Sequence, residues 1–275
     1  MATVVELTYY PIKGCAGTSC DRALLTRAGL AHDRAFMVVD TNGVYRTQRR
    51  DPLLASIRPE IDTAGERLTL RRTGVAPVTI DVDTAGARRD VDLFGNPFRG
   101  IDQGDAVAEW ISDALGVGSR LVRVPPEHDR VTDGAIPGTA GYADSSPLHV
   151  LSRGSLDLLN ARLAEQGEAP LPMNRFRPNV VVQGWPEPHT EDRLRRFGVG
   201  EAELGYAKLA IRCAVTMVDQ VAGTKAGPEP LRAFAGYRRA AQGGVAFGAK
   251  FAVLRPGKLS VGDELVVGEW GTAEV

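Results

Sequence analysis

Lys208-Leu-Ala-Ile-Arg-Cys-Ala-Val-Thr-Met-Val-Asp219 decides the reading of this chain: an apolar run that passes through one cysteine and out toward a glycine-containing loop. Leu209, Ile211, Ala214, Val215 and Val218 are apolar and partly β-branched, the residues of a buried strand, so Cys213 is expected at or near fixed backbone. Arg212 precedes it directly, and a neighbouring guanidinium favours the thiolate, the form that binds metals and attacks electrophiles. Free cysteine is also among the most buried residue types and often serves only as a small hydrophobe. Strand and neighbour alone leave both roles open.

At 275 residues the chain has room for one large domain or two compact ones, and 43% hydrophobic with 24% charged residues is the composition of an ordinary globular protein. The formal net charge of −1 gives no overall pull toward nucleic acid or anionic membrane, so neither is expected as a partner. Met1–Glu6 lacks the basic and long apolar regions of a secretory signal, and no run approaches the length of a membrane span, which makes the cytoplasm the expected location. Cys15, Cys20 and Cys213 are the three cysteines, too few for an ordinary four-thiolate iron–sulfur cluster.

Val5, Leu7 and Tyr9 alternate with polar residues as in a half-buried strand. Phe36–Val39, Asp40-Thr-Asn-Gly43 and Val44-Tyr45 read as strand, turn and strand, and further short strands are expected at 68–70, 78–82 and 91–94. From Asp105 the period changes to that of a helix, with Val107, Trp110, Ile111, Ala114 and Leu115 on one face, Asp105 as cap and Gly116 as stop. A second helix is expected from about Ser152 to Glu165, a strand at Val180–Val182, a brief helix after Pro228, and strands near 251–254 and 264–267.

Several groups of residues fall in an order that resembles one family. Arg212-Cys213, Thr216, Val218-Asp219, Glu229-Pro230-Leu231 and Tyr237-Arg238 resemble the cysteine segment of the MOSC family. Tyr10-Pro-Ile-Lys-Gly-Cys15 and Asp33-Arg-Ala-Phe36 resemble the β-barrel domain that precedes it in the amidoxime-reducing proteins, and Asp144-Ser-Ser-Pro147, Asn174-Arg-Phe-Arg-Pro-Asn179 and Phe247-Gly248 keep the family's order. The resemblance implies a β-rich α+β protein with an N-terminal β-barrel domain at 1–117 and a MOSC β-barrel domain with flanking helices at 118–275. It implies the molybdenum cofactor, held by the metal at Cys213 and by its organic part at Lys13, Gly14, Arg34, Ser145, Ser146, Arg177, Asn179, Arg212 and Lys250. It implies reduction of small N-hydroxylated or N-oxygenated compounds, oxygen passing from nitrogen to the metal, with electrons from a separate ferredoxin-like or flavin protein. The alternative is a cofactor carrier or sulfur-transfer protein whose Cys213 bears a persulfide.

Two positions depart from the family pattern. Lys250 stands where the amidoxime-reducing proteins have a tyrosine, and Gln220 where a proline is usual; an added cation is expected to favour an anionic substrate. Arg71-Arg72, Arg88-Arg89 and the arginines of 193–196 match nothing functional and are expected on solvated faces. Gly198-x-Gly200 lacks its third glycine at Glu203, and the four histidines lie too far apart for a zinc-type pairing.

Overall fold

The computed structural model describes all 275 residues. Its largest sheet has eight strands, in the order Leu265–Trp270, Leu194–Val199, Ala202–Arg212, Val245–Arg255, Leu148–Ser152, Val180–Gln183, Thr3–Tyr9 and Thr18–Cys20. A five-stranded sheet runs Arg88–Leu93, Asn96–Asp102, Arg120–Arg123, Phe36–Val39 and Ile12–Lys13. Arg58–Ile61, Arg67–Arg72 and Val75–Asp81 make a three-stranded meander, and Gly257–Ser260 pairs with Arg22–Thr26 in another small sheet.

The protein is therefore β-rich α+β, but the expected barrels are not closed cylinders: the sheets are open. The large one coils until Thr3–Tyr9 touches the run into the last strand, where Val4 N–H donates to Asp263 O at 2.9 Å and Leu265 N–H to Ala2 O at 2.9 Å. Thr18–Cys20 remains beyond that seam, and the outer strands do not pair with each other. Strand pairing also crosses the 117/118 division in both directions. Thr3–Tyr9 pairs with Val180–Gln183, and Arg120–Arg123 pairs with Phe36–Val39.

The helix Asp105–Leu115 buries Val107, Ile111 and Ala114 of the expected face, with Ala108 beside them and Trp110 and Leu115 only half-buried, and ends at Gly116, whose φ of 71° is left-handed. Its cap is Gly104 rather than Asp105, which instead places a carboxylate in the first turn. The helix Arg153–Glu165 starts from Ser152, whose side chain accepts from Ser155 N–H. Val44-Tyr45 forms only isolated bridges to Asp92 and Val39, so the expected hairpin has no full second strand.

Not all the arginine pairs lie on solvated faces. The 193–196 run opens the strand Leu194–Val199, where Arg195 lies over the Tyr206 ring at 4.2 Å and donates to Asp192 O and Leu194 O. Arg72 reaches the carbonyl of Ala114 at the helix end. Long side chains cover apolar surface with their stems while their heads find carbonyls.

Two apolar clusters bracket the site. One joins Val4, Leu7, Leu25 and Leu30 to Leu148, Val180, Phe251 and their neighbours; a second packs Ile12, Phe36, Leu54 and Ile57 against the helix Asp105–Leu115.

Candidate functional site

All ten residues singled out in the sequence line one cleft between the halves of the chain. Lys13 ends a short strand, Arg34 sits in the turn before Phe36–Val39, and Ser145 and Ser146 lead into Leu148–Ser152. Arg177 and Asn179 occupy the loop into Val180–Gln183, Cys213 follows the strand Ala202–Arg212, and Lys250 lies within Val245–Arg255.

Cys213 is half-buried, with extended backbone, at the cap of a short 3₁₀ turn over Ala214–Met217. Its carbonyl accepts from Thr216 N–H and Oγ1 at 3.1 and 3.0 Å, so the thiol stands on anchored backbone rather than being sealed in hydrocarbon. The nearest donor to Sγ is Arg49, at 3.8 Å, and not its sequence neighbour Arg212. Arg212 instead donates to Phe176 O at 2.8 Å, while its Nε is buried without a partner. Burial pushes Arg212 down to about 10, against the opposing pull of the Cys213 and Asp144 charges. Arg49 was missed in the sequence because an arginine pair in the polar run Thr47-Gln-Arg-Arg50 carries no signal of a distant thiol.

The floor of the cleft is built around Tyr10, whose ring lies 4.3 Å from the Arg34 guanidinium and 4.2 Å from that of Arg177. Asp33, buried, accepts from Arg34 at 2.5 Å and from Tyr10 N–H at 2.8 Å. Asn179 spends its side chain on the protein: it donates to Thr8 O and Asp33 Oδ1 and accepts from Arg34 and His149 N–H. It holds Arg34 in place. Arg177 donates to Cys15 O at 2.6 Å and to Gln220 Oε1 at 3.3 Å. Arg34 and Arg177 both have left-handed backbone, with φ of 49° and 55°, a conformation costing about 1–3 kcal/mol for a non-glycine residue and concentrated at functional sites.

Lys13 is 5% exposed, against the usual place of a lone lysine, and pairs with Asp144 beneath the Phe94 ring, 4.6 Å from its centroid. Burial lowers the Lys13 ammonium, while the adjoining carboxylate resists that shift. Asp144 has protein around it but faces the open cleft; burial would raise its carboxyl, yet Lys13, then Lys250, hold it well below the usual carboxylate range. Lys250 donates to Ser145 Oγ, and burial pushes it down to about 8.

Two glycines matter here. Gly14 has φ 82°, and its carbonyl accepts from Gln48 at 2.6 Å. Gly248 has φ 81°, and a Cβ there would lie 2.5 Å from His149 Nε2. That nitrogen is buried without a partner, as is Ser146 Oγ. His149, set aside in the sequence for want of a metal-binding companion, thus faces the cleft. Gln220 and Gln48 exchange amide hydrogen bonds at 3.1 and 2.9 Å across the halves.

Residues 1–118 match the MOSC N-terminal beta barrel domain, and residues 137–266 match the MOSC domain. The chain belongs to the MOSC family. This MOSC protein is 32% identical to "Mitochondrial amidoxime reducing component 2" of Rattus norvegicus, over 96% of its own length and 82% of that protein's. It is 30% identical to "Mitochondrial amidoxime-reducing component 1" of Homo sapiens, with the same coverage. It is also 28% identical to the "Molybdenum cofactor sulfurase" of Danio rerio, over 91% of its own length but 32% of that protein's.

The MOSC cleft suits a polyanionic, donor-rich group held through a soft metal. Six cations, Lys13, Arg34, Arg46, Arg177, Arg212 and Lys250, line it against the single carboxylate of Asp144. The accessible thiol and the orphaned Ser146 Oγ, His149 Nε2 and Arg212 Nε await partners that the protein does not supply.

Proposed function

We propose that this protein is a molybdenum-cofactor-dependent reductase of N-hydroxylated or N-oxygenated compounds. The observation that carries the reading is the meeting of Cys213 with cations from both halves on one cleft that also holds unpartnered buried polar atoms. The relatives named for amidoxime reduction, matched over most of their length, support it.

In this reading the Cys213 thiolate is the soft ligand to the metal. Arg34, Arg177 and Lys13 hold the organic part, the first two in fixed positions because Tyr10, Asn179 and Gln220 leave them little freedom. Ser145, Ser146, Arg212 and the backbone at Gly14 offer further polar contacts, and His149 Nε2 adds one the sequence did not indicate. When bound, the cofactor supplies a two-electron redox centre. For a hydroxylamine-type substrate the balance is R–NH–OH + 2 H⁺ + 2 e⁻ → R–NH₂ + H₂O: the N–O bond breaks, and the oxygen leaves as water. The electrons come from a separate donor protein, ferredoxin-like or a flavin reductase, and the setting is the cytoplasm. No helix is long and apolar enough to cross a membrane.

The test is elemental analysis of the purified protein together with reduction of an N-hydroxylated compound by a chemical electron donor. Molybdenum near one per chain, with turnover abolished in Cys213→Ser and Cys213→Ala, is expected. Full turnover in either variant removes the ligand role. A metal-free protein whose Cys213 peptide carries one extra sulfur atom replaces reduction with sulfur transfer.

A further inference from the structure

The cations of the cleft are unequally engaged. Lys13 is neutralised by Asp144, Arg34 by Asp33 and Arg46 by Asp51, while Arg177 is tied to Cys15 O and Gln220 on the buried floor. Lys250 differs: its side chain hydrogen-bonds only the neutral hydroxyl of Ser145, and the nearby Asp144 carboxylate is bonded to Lys13 instead. Its strand partners on either side are His149 and Lys208, and Lys208 is taken by Asp133. Arg49, exposed, reaches Cys213 Sγ and Tyr45 Oη but no carboxylate. Arg212 also lacks an acidic partner, but it is tied to Phe176 O and has its Nε buried, which leaves Lys250 and Arg49 as the cations of this region whose heads are bound to neither a carboxylate nor a backbone carbonyl. Their positions also differ in rigidity from the floor. Arg34 and Arg177 are stacked and hydrogen-bonded, as a permanently bound group requires, whereas a lysine on a flexible stem and an exposed arginine suit a ligand that arrives and leaves.

We propose that the substrate of this enzyme carries a carboxylate, received by Lys250 in the cleft, alongside its reducible N–O group, with Arg49 at the thiol adding positive charge at the mouth. The proposal rests on the reductase reading and narrows its substrate class from neutral N-hydroxy compounds to anionic ones. Asp144 lies near Lys250 as well, but its carboxylate is bonded to Lys13, so no carboxylate is hydrogen-bonded to the Lys250 ammonium. Charge-assisted contacts of this kind discriminate strongly, because a neutral competitor leaves the cation without its partner.

The experiment uses the metal-loaded protein with a chemical electron donor and a matched pair of substrates, benzamidoxime and its para-carboxylate. In parallel, calorimetry follows binding of para-carboxybenzamide, which has the anion but no N–O bond. Wild type is expected to favour the carboxylate in kcat/KM by about tenfold or more, mainly through KM. Lys250→Gln and Arg49→Gln are each expected to reduce that ratio severalfold, and Lys250→Arg to restore most of it; a restored ratio shows that the loss in Lys250→Gln is one of charge and not of fold. If both compounds are reduced with equal kcat/KM, the proposal is overturned while the reductase reading stands. If neither is reduced but the amide binds wild type severalfold more tightly than Lys250→Gln, the anion site stands and the reductase reading falls. If the amide does not bind wild type, the anion site is overturned.

Discussion

At the residue scale, position within the cleft decides what each charge can do. The Lys250 ammonium is faced by Asp144, which favours its charge, and by Arg212, Lys208 and Arg34, which oppose it, with Ser145 and the His149 ring alongside. Burial pushes it down to about 8 from its ordinary 10.5. A lysine with a lowered value loses its proton, and its hold on an anion, as pH rises through that value. The affinity for para-carboxybenzamide should therefore be flat below pH 7, fall severalfold as pH rises through about 8, and level off once the lysine is neutral. Calorimetric titration between pH 6 and 10 measures it, and an affinity constant across that range removes Lys250 from the anion's partners. What the sequence disclosed at this scale was which residues line one cleft: Cys213 by its strand and neighbour, the basic residues by family order. Whether a given arginine donates to the thiol, as Arg49 does, or to a carbonyl, as Arg212 does, depends on side-chain direction, which spacing does not encode. The same holds for Asn179, whose amide is wholly spent within the protein.

At the scale of elements, the strand Val245–Arg255, the turn Thr190–Arg193 and the helix Leu231–Ala235 are tied by one buried ion pair. Arg238 donates to Asp192 at 2.5 Å and to Ala246 O at 2.9 Å, and both side chains of the pair are almost fully buried. Burial raises the Asp192 carboxyl to about 7, although Arg238 pulls it down. Between about 4 and 7 the native state keeps a proton that the unfolded chain has lost, so this group's contribution to stability falls as pH rises through that window. Arg238→Met leaves Asp192 without its counter-charge. Unfolding in urea should show a loss of about 3–5 kcal/mol at pH 8 and a smaller one at pH 5, where the carboxyl is more readily protonated. Equal losses at both values would show that the pair's charge is irrelevant. The helices and most strands were legible because their apolar periods are long and clear. The second hairpin strand at Val44-Tyr45 was not, since its backbone is shared between Asp92 and Val39 instead of completing a ladder.

At the scale of the molecule, the two halves named by the family are not self-contained in hydrogen bonding. Without residues 1–117 the large sheet loses Thr3–Tyr9 and Thr18–Cys20, and the edge of Val180–Gln183 lies open. Ala2, Val4, Leu7, Leu25 and Leu30 also leave an otherwise intact apolar cluster. A chain of residues 118–275 alone is expected to aggregate, and co-expression with 1–117 should restore a soluble complex, as size-exclusion chromatography would report. A monomeric, cooperatively unfolding 118–275 fragment would contradict this. Local pattern could not disclose the exchange, because an alternating strand specifies which face is buried but not which distant strand lies beside it. The open sheets have the same origin: Thr3-Val4 bonds to the segment 262–265 as well as to Val180–Gln183, an arrangement that no single strand announces.

That exchange also orders events on the ribosome. Thr3–Tyr9 finds Thr18–Cys20 on one edge soon after synthesis, yet its partner on the other edge, Val180–Gln183, is made some 170 residues later, and the segment that meets Val4 comes later still. At about 5–20 residues per second the opening strand waits roughly 10–35 seconds with its edge unsatisfied. Newly made chains should thus depend on a holding chaperone until Val180–Gln183 emerges, and slowing translation between the two strands should lower the yield of soluble protein.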